Sequence, residues 1–353
     1  MPTERVGVSL ADQRTLRFAV GTSATLAFSQ ALAWEHSYLA AVFAAMFLTL
    51  PLPPPRLKGA VIFLLILAGA LLWGLTLLGP LKHYEFAGLL LLGISFFSVF
   101  AYSLGGGNPL VTSLAIAGLA AVPVVGVLSI PAAITICESL MKAGLVALLA
   151  MWLFHALFPD PPAQGSTAAP SAPATLPLPP ARLAARSTLV VMPVLIWLLA
   201  TSGTSNIAVA IKVSSMGQQA SADSSRQAGL ALLFSTLIGG LAAIAIWLVL
   251  KVWPSLLLYS LLVLLSGLVL GRRIFAPPGS GLPGPVWSYG FVTMLIILGP
   301  IVLDTGDAAG GRFFDRLVMF VGATVYSVFA VVFFDVIMGH RNYATSGRSS
   351  DGA

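Results

Sequence analysis

The chain has 353 residues, of which 58% are hydrophobic and only 8% charged, with a formal net charge of +6. So little charge excludes a water-soluble globular protein of this length and puts most titratable groups at a membrane surface or inside a span. A single cysteine, Cys137, excludes a disulfide framework; His36, His83, His155 and His340 lack ligand spacing and read as interfacial, so no metal or cofactor is expected.

Apolar runs predict an all-α polytopic membrane protein of about twelve transmembrane helices. The first run covers 15–33. It ends in Ala31-Leu32-Ala33, which mimics a signal-peptidase site, but another apolar run follows at once, so an uncleaved helix is expected. Further spans fall near 37–52, 60–79, 86–103, 109–128 and 132–158. Before the fifth, Gly105-Gly106-Gly107-Asn108-Pro109 lacks the lysine of a phosphate loop and reads as a turn.

Residues 1–158 thus form a first six-helix membrane repeat. Residues 159–185, proline-rich from Pro159 to Pro180, cannot bury a core and read as a cytoplasmic linker. A second six-helix repeat occupies 186–340, with spans near 186–202, 204–220, 227–249, 254–271, 286–303 and 315–337, and 341–353 is a disordered tail. Trp34, Tyr38, Trp73, Tyr84, Trp253 and Trp287 fit aromatic belts. Gly21, Thr25 and Ser29, and likewise Gly239 with Ala243, form small-residue faces for close packing.

With the N-terminus inside, Arg5, Arg14, Arg17, Arg56, Lys58, Arg182, Arg186, Arg226, Arg272, Arg273, Arg341 and Arg348 fall on the inner side. Lys82, Lys251, Arg312 and Arg316 fall outside, so both termini are cytoplasmic and the basic balance reflects orientation in a lipid bilayer, not nucleic-acid binding. Arg14 and Arg17 read as inner-face anchors. Lys142 and Lys212 are left within spans.

The two halves match at an offset of about 170 residues, as parallel repeats do in one plan of secondary transporters. Arg17 answers Arg186, Arg56-Leu57-Lys58-Gly59 answers Arg226-Gln227-Ala228-Gly229, and Lys142 answers Arg316. The offset lays Ile207–Ser221 on Ser37–Pro51 and puts Lys212 inside the eighth span. Ser205, Lys212, Ser215 and Gln219 then share one helical face, which suits a wet, anion-attracting crevice; a long polar cytoplasmic loop or a re-entrant segment accounts for the same residues. In the sixth span Glu138 and Lys142 stand four apart on one face. Glu138 is the candidate proton-coupling group, freeing Lys142 for an anion on protonation; a paired anchor near the outer interface is the plainer alternative. The candidate substrate-binding residues are therefore Lys212, Ser205, Ser215, Gln219 and Lys142.

Arg14-Thr15-Leu16-Arg17, Arg56-Leu57-Lys58-Gly59, Ser225-Arg226-Gln227-Ala228-Gly229 and Arg316-Leu317-Val318-Met319-Phe320-Val321-Gly322 resemble motifs of the fusaric acid resistance and aromatic acid exporter superfamily of bacterial inner membranes. Typical aromatic acid exporters carry a sizeable cytoplasmic domain; here only the Pro/Ala linker occupies that place, so the chain looks like a compact branch. The resemblance implies proton-driven export of small organic anions or toxic aromatics from the inner membrane. It also implies a membrane-fusion adaptor partner of the hemolysin-secretion type.

The expectation is a secondary transporter and not an enzyme. Asp304, Asp307 and Asp315 lie outside without a histidine partner for transferase chemistry. An anion channel, to which plant malate channels of the same superfamily point, and a non-transporting assembly subunit are the alternatives, and a homo-oligomer fits each. If residues 204–220 cross the membrane, Ser214→Cys and Gln218→Cys in a Cys137→Ala background will react with a water-soluble maleimide far more slowly than Ser349→Cys. Equal rates place the segment in the cytosol.

Overall fold

The computed structural model describes residues 9–50, 53–160, 179–200, 226–277 and 282–302, with single positions between 318 and 333. The described helices are α1 Leu10–Ala31, α2 Tyr38–Thr49, α3 Leu57–Thr76, α4 Leu78–His83, α5 Glu85–Leu104, α6 Pro109–Gly126, α7 Ile130–Leu157, α8 Pro180–Ala200, α9 Arg226–Val252, α10 Leu256–Ile274 and α11 Gly284–Val302. No strand occurs among the described residues.

Six helical stretches are long and apolar enough to cross a bilayer: Leu57–His83, Glu85–Leu104, Ile130–Leu157, Pro180–Ala200, Leu233–Val252 and Leu256–Ile274. Val111–Gly126 and Gly284–Pro300 are shorter apolar stretches, and two more helices fall short for identifiable reasons. α2, at 12 residues, rises about 18 Å against a hydrocarbon thickness of about 30 Å. α1 has 22 residues, but Asp12, Gln13, Arg14, Arg17 and Gln30 interrupt its apolar character. The expected spans at 204–220 and 315–337 lie outside the continuously described residues.

Local chemistry sets the breaks. Ser9 caps α1, its hydroxyl accepting from the Asp12 N–H at 3.1 Å. The glycine run after α5 is a turn, as expected: Gly106 adopts φ +85°, a left-handed geometry that suits glycine, and the Asn108 N–H donates to the Tyr102 hydroxyl at 3.2 Å. Pro109 then opens α6, where a missing N–H costs nothing.

The chain divides into two compact units, each drawing helices from both halves. One unit gathers α1, α2, the start of α3, α7 from Ile134, α9 from Phe234, α10 and α11. Here α1 packs along α10, and α2 packs on α11. The α1–α10 seam is tight because Gly267 and Gly271 lie one turn apart on α10. A Cβ on Gly267 would stand 2.9 Å from Ala19 Cα, and one on Gly271 would stand 3.0 Å from Thr15 Cγ2. Ser23 Oγ donates across the seam to the Ser260 carbonyl at 2.7 Å, and the Phe18 ring meets that of Phe291 at a tilt of 59°, centroids 4.8 Å apart. Of the expected small faces, Gly21 backs onto Leu48 and Phe154, and Gly239 backs onto Gly290 and Thr293. Trp152 Nε1 donates to the Pro55 carbonyl at 2.7 Å, tying α7 to the start of α3. Tyr38 departs from the expected aromatic belt: it is 2% exposed, its ring filling the space left beside Gly299.

The other unit gathers the end of α3 from Gly69, α4, α5, α6 and α8. α5 packs on α8 and α6. The Trp73 indole donates to Ser95 Oγ at 3.1 Å, and that hydroxyl donates to the Leu91 carbonyl at 2.8 Å. Gly74 and Gly118 let the backbones of α3 and α6 meet closely.

Gly267→Val forces the α1–α10 seam apart and should lower stability by about 1–3 kcal/mol. Gly69→Ala, where a Cβ meets nothing within 4 Å, should be neutral or slightly stabilising. Thermal unfolding of the detergent-solubilised variants reads both.

Candidate functional site

Two clusters of charge stand out. The first lies at the start of α1 and the end of α7. Arg14 and Arg17, three apart, share a face of α1. Arg17 is 1% exposed. A guanidinium withdrawn this far from water demands an anion and acceptors for its N–H groups. Asp160, three residues past the end of α7, supplies the anion. Arg17 Nη1 lies 3.1 Å from Asp160 Oδ1, and Arg17 Nη2 donates to Asp160 Oδ2 at 3.4 Å, so the planar fork meets both carboxylate oxygens. Arg14 Nε adds a contact to Asp160 Oδ1 at 3.4 Å. Arg17 Nη1 also donates to the Phe158 carbonyl at 3.3 Å. The cation therefore sits at the C-terminal end of α7, where unsatisfied carbonyls gather partial negative charge.

His155, near the end of α7, completes the cluster and at 8% exposure is buried. Its Nδ1 is 2.8 Å from the Met151 carbonyl, which can only accept, so Nδ1 carries the proton. Arg17 Nε and His155 Nε2 are both buried without a hydrogen-bond partner. Burial pulls the Asp160 carboxyl upward, but the hydrogen bond and charge of Arg17, aided by Arg14, outweigh it and hold the group below its ordinary value. Arg17 is thus a partner in a buried ion pair and not an inner-face anchor.

From this end α1 carries a line of buried polar groups: Thr15, Thr22, Ser23, Thr25, Ser29 and Gln30. Thr15, Thr25 and Ser29 donate back to their own helix at 2.7–3.1 Å. Thr22 Oγ1 and Gln30 Nε2 are buried without partners. The unit that holds α1 therefore contains a polar seam along an apolar bundle.

The second cluster is the expected pair, Glu138 with Lys142, joined as an ion pair on α7. α7 has 28 residues and spans about 42 Å, which puts Lys142 within about 2 Å of its midpoint along the axis. The two side chains are 60% and 47% exposed. They interrupt an outward stripe otherwise made of Ile134, Leu145, Leu149 and Leu153.

Ser205, Lys212, Ser215 and Gln219 lie outside the described residues, as do Asp304, Asp307, Arg312, Asp315 and Arg316. Among the described residues no group of three or more His, Cys, Asp or Glu is arranged to hold a metal. Asp160 was missed because its partners are more than 140 positions away in sequence and its neighbours are prolines. The one available signal was a carboxylate standing where a span ends.

The chain is similar, over residues 14–154, to the family described as a protein of unknown function (DUF2955). The match starts at Arg14 and stops just before His155 and Asp160. No curated protein and no solved structure matches the chain.

Because the folded Asp160 carboxyl lies below its unfolded value of about 3.9, its contribution is full above that pH and is lost as pH falls through the folded value. Asp160→Asn should cost about 1–3 kcal/mol, less than a fully buried pair because Asp160 is 34% exposed. The stability gap between wild type and variant should stay level from about pH 5 to 8 and close below about pH 4.

Proposed function

We propose that this chain is an inner-membrane secondary transporter that exports small organic anions, aromatic or carboxylate, or toxic compounds. Protons drive it, and a periplasmic membrane-fusion adaptor carries the substrate onward. The observation that carries this reading is the Glu138–Lys142 pair near the middle of a membrane-length helix. A lysine facing lipid at mid-depth costs about 2.5–3.5 kcal/mol on insertion scales. In this reading the half-exposed pair on the outward stripe of α7 meets water, substrate or polar protein groups rather than lipid. Protonation of Glu138 breaks the pair and frees the Lys142 ammonium for an anion, which couples proton uptake to binding.

In this reading α1 and α2, with the segments at 204–220 and 315–337, complete twelve spans in two parallel repeats, with both termini cytoplasmic. The packing supports the repeat. α1 lies along α10 in one unit, and α8 lies along α5 in the other. At an offset of about 170 residues α8 answers α1 and α10 answers α5, so each unit joins the first helix of one repeat to the fourth of the other. Arg17 and Arg186, the matched arginines of α1 and α8, are 1% and 2% exposed. Lys212, with Ser205, Ser215 and Gln219, forms the second cationic part of the pathway. The motifs that resemble those of the fusaric acid resistance and aromatic acid exporter superfamily favour export and an aromatic substrate.

Uptake of an aromatic carboxylate into inverted membrane vesicles, which reports export, should be lost in Lys142→Ala and in Lys212→Ala while both proteins still insert. Glu138→Gln should retain binding but lose its response to an imposed proton gradient. Undiminished export in both lysine variants overturns the reading. Flux that follows voltage and ignores a collapsed proton gradient replaces it with an anion channel.

A further inference from the structure

We propose that Arg14 and Arg17 form a carboxylate-binding site that Asp160 occupies as a built-in stand-in, so that a free organic carboxylate binds by displacing it. The inference rests on the transport reading only for its direction: it makes this cluster the inner-side loading site for the anion.

The geometry is that of a receptor holding a ligand. The Arg17 side chain is 2% exposed and fixed within its unit, whereas the Asp160 side chain is 34% exposed. Its carboxylate takes the Arg17 fork on both oxygens, at 3.1 and 3.4 Å, with Arg14 Nε at 3.4 Å from one of them. A planar bidentate grip is how arginine recognises a free carboxylate. Two cations meet one anion, so the occupied site keeps a surplus positive charge. Pro161 and Pro162 follow Asp160 and bring no backbone N–H to fasten it.

Two more polar atoms belong to the same cluster. Arg17 Nε and His155 Nε2 are buried and without partners, and His155 lies within electrostatic reach of both Arg17 and Asp160. With Nδ1 protonated toward Met151, Nε2 offers a lone pair and Arg17 Nε offers an N–H. Asp160 uses neither. A ligand carrying a carboxylate and an adjacent hydroxyl can use both, so 2-hydroxybenzoate should bind more tightly than benzoate.

A tethered carboxylate competes at an effective concentration in the millimolar range, which weakens any free anion in the wild type. Removing it exposes the site. In lipid-free detergent, thermal stabilisation of Asp160→Asn by benzoate should reach half its maximum at a concentration about tenfold lower than for wild type. The response should be larger still for 2-hydroxybenzoate and absent with matched chloride. Arg14→Gln in the same background should weaken it, and Arg17→Gln should remove it. A variant response equal to that of the wild type overturns the proposal. Stabilisation by inorganic phosphate alone also overturns it, and points to a lipid headgroup or phosphate site instead. Should Asp160→Asn not purify, hydrogen exchange on the wild type decides: benzoate should speed exchange at the amides of Leu157, Phe158 and Asp160, and unchanged exchange there refutes displacement. Each readout is binding and not flux, so failure here leaves the transport reading to its own experiment.

Discussion

A positive charge taken out of water organises one end of this molecule. The Arg17 guanidinium is a buried cation, so everything near it must answer that charge in a weakly screening surrounding. A neighbouring carboxylate and a helix-end carbonyl meet most of the demand. The consequences run along the chain. α7 must reach far enough to bring Phe158 and Asp160 under α1. α1 must pack close enough to its neighbours to hold its polar groups inside protein. The glycines at 267 and 271 permit that approach, and Ser23 uses it to reach a carbonyl on α10.

The two charge clusters contrast in a way that separates structure from mechanism. At Arg17 the cation is buried and the anion is near water. At Glu138 and Lys142 both members are half exposed on a stripe of leucines and isoleucine, deep along a membrane-length helix. Neighbouring side chains enforce the first arrangement. The second is flanked along its stripe by Ile134 and Leu145 and lies open on its outer side.

The helices were largely legible in the sequence, because apolar runs and Gly/Pro breaks are local signals. The run at 86–103 became Glu85–Leu104, and the glycine turn ahead of Pro109 formed where its composition put it. What stayed hidden was tertiary. An arginine ahead of an apolar run reads alike whether it faces headgroups or a carboxylate more than 140 residues away. His155 likewise gave no sign of burial, and Tyr38 looked like a belt residue until Gly299 made room for its ring. Membrane-length apolarity also failed to distinguish α2, which is rich in apolar residues but only 12 long. The Glu138–Lys142 spacing was visible; its depth and outward direction were not.

The interleaving of the halves bears on how the protein is made. α1 finds its long partner, α10, only after more than 200 further residues have been synthesised. At ribosomal speeds of about 5–20 residues per second that delay is roughly 11–45 s. Throughout it, α2, which follows α1 at once and also packs on it, is the neighbour on hand to cover a helix bearing two arginines and a row of hydroxyls.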